Sequence, residues 1–341
     1  MRITNTRWRC PRRTATQTSG EVVIACPPVA IAQARIAILM AVRDGAAHLR
    51  EQLDSIAAQT HADWHILASD DGSQDGSRAI LSRFVARGCD LTVLEGPQAG
   101  VAANFLFLIR QLGRCGDGEG WTAFSDQDDV WCPGRLERGL AALSYVPETT
   151  PALFCSRLTI TDPQLRPLRP SPSRPRPPEF RNALVQNIAA GNTILLNPAA
   201  TRLIVAAAAE VRDLVVHDWW IYQIISGVDG VVVHDDAALV LYRQHSGNQI
   251  GANDTLRARG KRIMMLLRGE FRRWNEVNIR ALQGSAHRFT PENRALLEGF
   301  ARMRNSRFFV HRLWWLWRLG LYRQHLPGSC ALWLSALLRR L

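Results

Sequence analysis

Between Arg35 and Asp126, short apolar runs alternate with amphipathic segments of about a dozen residues. The apolar runs predict strands at 35–42, 64–69, 91–96 and 121–126. The segments between them predict helices at 46–59, 77–88 and 101–112. Strands that alternate with helices in this way form a parallel sheet covered by helices. The sequence therefore predicts an α/β fold with a doubly wound, mostly parallel sheet.

Two acidic clusters follow strands of this sheet. Asp70 and Asp71 come after the second strand, and DQDD at 126–129 comes after the fourth. Ligands bind at the carboxyl ends of the strands in such sheets, so we expect both clusters on that edge. For Asp70 and Asp71 the alternative is a turn that caps the next helix, since DGSQDGS is rich in turn-forming residues.

The cluster at 126–129 places three carboxylates within four positions, where they repel one another. Mg²⁺ and Mn²⁺ favour hard oxygen ligands, often one or two carboxylates together with substrate phosphate oxygens. Asp126 and Asp128 therefore suggest a metal site that offsets the repulsion. A solvated turn is one alternative, because runs of charge usually face water. A DxD phosphatase is another, although its motif follows the first strand of the sheet rather than the fourth.

Beyond Pro133 the pattern again mixes helices and strands. We expect helices at 134–145 and from 217, and strands at 152–162, 192–198 and within 231–245. The segment PLRPSPSRPRPPEF, at 167–180, holds six prolines and predicts an extended, mobile loop.

The net charge of +12 is concentrated at the two ends of the chain. Residues 1–13 carry five Arg, residues 301–341 carry eight, and neither segment has an acidic residue. Basic ends suit an anionic surface, which favours a membrane or, as an alternative function, nucleic acid. Trp and Leu interleave with Arg in 308–341, which favours a peripheral membrane contact over nucleic acid. A helical hairpin packed on the catalytic domain is the alternative for that segment.

These patterns divide the chain into three parts. We expect a disordered leader at 1–34, a catalytic domain at 35–250, and a helical, basic C-terminal region at 251–341 that contacts a membrane. The seven Cys residues include no CxxC pair, which indicates a reducing compartment rather than a disulfide framework.

Four stretches together resemble family 2 glycosyltransferases, and within them the bacterial rhamnosyltransferase-like group. These stretches are ILMAVRDGAAHLREQLDSIAAQTHADWHILASDDGSQDGS (38–77), FSDQDDVWCPGRL (124–136), HDWWIYQI (217–224) and LVLYRQHSGNQIGA (239–252). The resemblance implies a GT-A fold, which is Rossmann-like, and an inverting transfer from a metal-bound nucleoside diphosphate sugar. One departure is Val42-Arg43-Asp44, where the family often has Thr-Tyr-Asn, so Arg43 would stack on the base in place of Tyr.

The resemblance also implies roles for individual residues. Asp218 would be the catalytic base, and His217 beside it is expected to be a packing or capping residue. The nucleotide would be bound by Asp70, Asp71, Arg43, Asp126 and Arg135. The Mg²⁺ or Mn²⁺ ion would be held by Asp126, Asp128 and His245. The acceptor would contact Trp219 and Trp220.

The expected partners follow from the same resemblance. The donor would be dTDP-rhamnose, with UDP- and GDP-sugars left open, and the acceptor a glycan or a lipid-linked molecule. The reaction would serve cell-surface polysaccharide synthesis in the cytoplasm, at the inner face of the plasma membrane. No nucleic-acid partner is expected, because no recognised binding motif accompanies the basic ends.

Overall fold

A computed structural model describes residues 34–114, 116–245 and 269–341. The predicted leader, apart from Ala34, and the predicted boundary at 250 lie outside the described residues. So does most of the closing segment after His245.

The first half of the fold follows the predicted alternation of strands and helices. Its strands are β1 (Ile36–Val42), β2 (Trp64–Asp70), β3 (Leu91–Glu95), β4 (Trp121–Ser125) and the short β5 (Val130–Trp131). Its helices are α1 (Leu49–Ala57), α2 (Ser77–Ala86), α3 (Val101–Arg114) and α4 (Arg135–Leu143).

The second half contributes shorter strands and more helices. Its strands are β6 (Ala152–Thr161), β7 (Pro167–Pro170), β8 (Leu195–Leu196) and β9 (Val231–Arg243). Its helices are α5 (Phe180–Ala183), α6 (Pro198–Ala208), α7 (His217–Gly227), α8 (Glu270–Gly284), α9 (Pro291–Asn305), α10 (Phe309–Leu319) and α11 (Leu326–Leu337). Two 3₁₀ turns lie at Gly191–Thr193 and Ala286–Arg288.

One sheet runs through the molecule in the order β3-β2-β1-β4-β8-β6-β9-β5, and β7 pairs with β6. Strands β1 to β4 pair in parallel, and so do β6 and β9. The short strands β5, β7 and β8 pair antiparallel. The predicted α/β fold with a mostly parallel sheet is therefore confirmed.

Side chains of β1 alternate between two cores. Leu39 points into one hydrophobic cluster, and Ile38 and Met40 point into another on the opposite face. All seven residues of β1 are buried, because helices cover both faces of the sheet. Register then fixes the site: Val42 lies opposite Asp70, and Met40 lies opposite Ser125, so the loops after β1, β2 and β4 leave one edge.

The proline-rich segment is extended, as predicted, and residues distant in sequence contact it at several points. Residues 167–170 form β7 against β6, and the Arg157 Nε donates to the Ser171 carbonyl at 2.7 Å. Farther along, the Arg176 guanidinium lies 3.9 Å from the centre of the Tyr322 ring. Contacts with distant residues hold this segment in place, and proline content alone does not reveal them.

The helical, basic C-terminal region is present. Helices α10 and α11 form a hairpin that packs on the rest of the fold through Leu316, Leu319 and Leu332. Across the described ranges, every helix is too short or too polar to cross a bilayer.

Candidate active site

The loop after β4 is fastened to the loop after β1 by a single side chain. Gln127 Oε1 accepts a hydrogen bond from the Arg43 amide at 2.7 Å, and Gln127 Nε2 donates to the Arg43 carbonyl at 2.8 Å. This two-point contact resembles the pairing between strands and fixes the DQDD loop beside the end of β1. The Arg43 side chain itself remains more than half exposed.

Asp70 is buried at the end of β2, and residues of the following loop and of α2 bind its carboxylate. Its carboxylate accepts from the Ser73 amide at 3.0 Å and forms an ion pair with Arg78. Burial opposes ionisation of Asp70, but the hydrogen bonds from Ser73 and Arg78 outweigh it and lower the pKa of this carboxyl.

Asp71 binds the backbone of the loop after β3. Its carboxylate accepts the amides of Gln98 at 2.6 Å and Gly100 at 2.9 Å, and its side chain is buried. Arg43 Nη1 donates to the Asp71 carbonyl at 3.2 Å, which brings the loops after β1, β2 and β3 together. Asp70 and Asp71 thus hold the loops after β2 and β3 in place. Their contacts with base and ribose remain a prediction.

The carboxylates after β4 are in a different electrostatic state. Desolvation, together with the negative charges of Asp128 and Asp218, raises the pKa of Asp126 to about 7. Within the part of the chain that the structure describes, no donor forms a hydrogen bond to the Asp126 carboxylate. Since Asp218 contributes to this shift, the predicted base and the predicted metal ligands lie within electrostatic range of each other.

Asp129 is the structural member of the cluster. It is fully buried, and it accepts from the Asn192 side chain and from the Arg243 amide at 3.2 Å. Burial, with the charges of Asp126 and Asp128, raises the pKa of Asp129 well above its usual range. The Arg243 Nε donates in turn to the Asp128 carbonyl at 2.9 Å, so β9 holds the DQDD loop from the other side.

Two predicted metal ligands lie together beside the loop after β4. His245 Nε2 lies 2.8 Å from the Asp128 Oδ2, and the pKa of nearby Asp126 is raised by burial and by the charges of Asp128 and Asp218. Carboxylate oxygens are ligands that Mg²⁺ and Mn²⁺ favour, and such ions also take water and substrate phosphate as ligands. No group of three or more His, Cys, Asp or Glu side chains in the described ranges is arranged to hold a metal ion.

Asp218 lies in the first turn of α7, where two backbone amides fix its carboxylate. Gly191 N donates to Oδ2 at 3.1 Å, and Trp219 N donates to Oδ1 at 2.6 Å. Burial raises the pKa of Asp218 to about 6, although hydrogen bonds from Trp219, Gly191 and Asn187 act to lower it. Such a carboxylate is ionised at neutral pH and is more basic than an ordinary Asp.

Three of the predicted site residues, Arg135, Trp219 and Trp220, have side chains packed inside the protein. Arg135 is buried; its guanidinium donates to the carbonyls of Asn192 and Ile194 and stacks 3.6 Å from the Trp131 ring centre. In this arrangement Arg135 supports the fold and does not face a phosphate.

The side chain of Trp220 is fully buried, so it belongs to the core and cannot form an exposed acceptor wall. Trp219 is also buried, and its Nε1 donates to the Ala183 carbonyl at 2.6 Å. His217 stacks 3.7 Å from the Phe105 ring, and burial lowers its pKa to about 3. This geometry agrees with the expected packing role of His217.

Sequence reasoning missed four residues that build the site: Gln127, Asn192, Arg243 and His48. The ring of His48 lies 5.1 Å from that of His245, and Arg243 forms an ion pair with Glu51 on α1. Arg243 stands two positions before His245 in the segment that carries the resemblance, so its proximity to a predicted ligand was an available signal. The roles of Gln127, Asn192 and His48 depend on contacts between distant segments.

Comparison with known proteins finds a family match in the first part of the chain. Residues 37–191 match the family model described as glycosyl transferase family 2. The dTDP-rhamnosyl transferase RfbG of Shigella flexneri is 25% identical over 231 residues, which span 66% of this chain and 78% of that protein.

Two further similarities are more limited. The UDP-Glc:alpha-D-GlcNAc-diphosphoundecaprenol beta-1,3-glucosyltransferase WfgD of Escherichia coli is 26% identical over 108 residues, or 32% of this chain and 40% of that one. The crystal structure of S. aureus TarS in complex with UDP-GlcNAc superimposes with a TM-score of 0.50 and 16% identity. It covers 84% of this chain and 93% of that chain, which shows a shared fold.

Proposed function

We propose that this chain, whose residues 37–191 match the family 2 glycosyltransferase model, transfers a sugar from a nucleoside diphosphate to an acceptor hydroxyl with inversion. One observation carries this proposal: Asp218 of α7 lies close enough to the loop after β4 that its charge, with burial and the charge of Asp128, raises the pKa of Asp126. A carboxylate base beside a carboxylate pair suited to a cation is what such a transfer requires.

We propose that the donor lies across the carboxyl edge of β1, β2 and β4. Its base and ribose would contact Arg43 and the loop surfaces that Asp70 and Asp71 organise. Asp126 and Asp128 would hold Mg²⁺ or Mn²⁺ beside the diphosphate, with His245 next to Asp128. The chemistry supplied by a cation held there is neutralisation of the negative charge on the departing diphosphate.

Asp218 is the proposed general base. An acceptor hydroxyl has too high a pKa to attack unaided, and a carboxylate with a pKa of about 6 can remove its proton as the new bond forms. The amides of Gly191 and Trp219 keep this carboxylate in one orientation. Attack from the face opposite the diphosphate then inverts the anomeric carbon.

The identity of the substrates is the finer part of the proposal. Similarity to a dTDP-rhamnosyl transferase supports dTDP-rhamnose as the donor. Similarity to a glucosyltransferase named for a diphosphoundecaprenol-linked acceptor supports a lipid-linked glycan as the acceptor. The product would then be cell-surface polysaccharide, made in the cytoplasm at the inner face of the plasma membrane.

A thermal-shift panel tests the donor site directly. The melting temperature would be measured with dTDP, UDP or GDP, each with and without Mn²⁺, for the wild type and Asp128→Ala. We expect one nucleotide to raise the melting temperature only with Mn²⁺, and this rise to vanish in Asp128→Ala.

Asp213→Asn is the matched control, because Asp213 is exposed and lies 85 positions from Asp128 in the sequence. It should keep the wild-type response to nucleotide and metal. If no nucleotide shifts the wild type, or if Asp128→Ala shifts as the wild type does, the proposed donor site is wrong.

A further inference from the structure

The C-terminal hairpin of α10 and α11 is closed by a buried arginine. Arg312 Nε donates to the Ala336 carbonyl at 2.6 Å and its Nη2 donates to the Leu337 carbonyl at 2.9 Å. Its Nη1 reaches the carbonyls of Ser306 at 2.9 Å and Arg307 at 3.0 Å. The start of α10 and the end of α11 therefore lie side by side.

The two sides of the hairpin differ in what they contact. Leu316, Leu319, Leu332 and Ala336 are buried against the body of the protein. On the outer side of α10, Val310, Trp314 and Trp317 recur at intervals of four and three positions, which places them on one helical face. They are 63%, 45% and 71% exposed.

Helix α11 has an outer apolar face of its own. Leu326, Trp333 and Leu337 are exposed, and their spacing of seven and four residues again defines one face. Ten of the fifteen large hydrophobic side chains that are exposed in the described ranges lie in 308–338. Concentration in one short segment separates this surface from the scattered apolar residues found on most proteins.

The charged residues within the hairpin segment are all basic. Residues 301–341 contain eight Arg and no acidic residue, and Arg307, Arg318 and Arg339 are exposed. The Arg318 guanidinium lies 5.3 Å from the ring centre of Trp314, so charge and aromatic surface are interleaved. The bridge through Arg312 brings Arg307 and Arg339 toward the same end of the hairpin.

We propose that this outer surface of the hairpin binds the face of an anionic phospholipid bilayer. Trp side chains favour the interface between headgroups and acyl chains, and Arg side chains favour the anionic headgroups. A second copy of this chain suits the surface less well, because two hairpins without acidic residues would repel each other.

The hairpin is also fixed to the body of the protein. The Asn182 side chain donates to the Tyr322 carbonyl at 3.0 Å, and Arg176 N donates to the Gln324 side chain at 2.9 Å. A bilayer bound at α10 and α11 would therefore hold the whole catalytic domain in one orientation. This binding does not depend on the proposed reaction, so the two can fail separately.

Vesicle co-sedimentation of the full chain tests the proposal. Vesicles of phosphatidylcholine would be compared with equimolar phosphatidylcholine and phosphatidylglycerol, for the wild type and for Trp317→Ala combined with Trp333→Ala. We expect the wild type to prefer the anionic vesicles by about tenfold or more, and the double variant to lose most of that binding.

Tyr145→Ala combined with Leu168→Ala is the matched control, since both side chains are exposed outside the hairpin. This control should bind vesicles as the wild type does, and equal melting temperatures would show that both variants are folded. Absence of binding to anionic vesicles, or equal binding by the Trp variant, would overturn the proposal. A change from dimer to monomer in the Trp variant with unchanged vesicle binding would also overturn it, in favour of an interface between copies.

Discussion

The two acidic clusters occupy the same edge of one sheet and yet differ in how their charges are balanced. Asp70 is surrounded by donors, and hydrogen bonds from Ser73 and Arg78 lower its pKa despite burial. Asp126 is surrounded by carboxylates, and desolvation with the charges of Asp128 and Asp218 raises its pKa to about 7. Donors within the protein therefore balance the charge of Asp70. In the described residues, no donor binds the Asp126 carboxylate in the same way.

This difference separates structural from functional carboxylates more clearly than the sequence motifs do. Both clusters read as short acidic runs after apolar strands, and both were predicted to bind substrate. Their environments indicate that the first stabilises the loops around it, and they support the proposal that the second binds a cation. Four predictions test this contrast, from the largest expected effect to the smallest.

Replacing the proposed base should have the largest effect. Asp218→Asn keeps the shape of the side chain but removes the proton acceptor, so we expect kcat to fall by about 10²- to 10⁴-fold. Transfer assayed at saturating donor and acceptor measures this loss. Asp213→Asn should retain wild-type turnover, and a similar rate in Asp218→Asn would remove that residue from the mechanism.

The pH profile should report the ionisation of the same group. Burial raises the pKa of Asp218 to about 6, and a base must be unprotonated to act. We therefore expect kcat to fall about tenfold per pH unit below 6 and to level off above it, at saturating metal. A profile that is flat between pH 5 and pH 7 would contradict this assignment.

Stability should respond in opposite directions to the two clusters. Asp70 has a lowered pKa, so its contribution is present above pH 4 and is lost in acid; Asp70→Asn should lower the unfolding free energy at pH 8 by about 1–3 kcal/mol. Asp126 has a raised pKa, so its contribution falls as pH rises from about 4 to about 7. Asp126→Asn should therefore be more stable than the wild type at pH 8 and not at pH 4.

Urea denaturation at the two pH values measures both effects, without added metal. A loss of stability at pH 8 in Asp126→Asn, similar to that in Asp70→Asn, would show that the two clusters are balanced in the same way.

The smallest expected effect is a pH-dependent response to metal. Because the folded protein holds protons on the second cluster that a cation must displace, Mn²⁺ should raise the melting temperature more at pH 8 than at pH 5. Asp128→Ala should lose this difference. An equal shift at both pH values would mean that Mn²⁺ binds elsewhere.

The sequence predicted those strands and helices whose signals lie within the element itself. Strands β1 to β4 and the helices between them are long, periodic and bounded by turns, so their positions followed from the sequence. Their parallel pairing then placed Arg43, Asp71 and Asp126 on one edge. Helix α6 was missed although Asn197-Pro198 is a helix-start signal: Asn197 caps the helix by accepting the Ala200 amide, and Pro198 occupies the first turn.

What sequence reasoning could not supply is the set of contacts between distant segments. The Arg135 guanidinium was assigned to phosphate from its place in the motif, whereas carbonyls more than fifty positions away bind it. The contacts of the proline-rich segment with β6 and the ring of Tyr322 likewise do not follow from its composition. In each case a partner remote in sequence decides the outcome.

The contact between Gln127 and the backbone of Arg43 has a consequence for how this enzyme can diversify. Because Gln127 contacts only main-chain atoms of Arg43, replacing the side chain at position 43 leaves this contact with the DQDD loop in place. We therefore expect such a replacement to change the proposed contact with the nucleobase while the proposed carboxylates keep their positions. Under that proposal, donor preference and turnover can evolve separately.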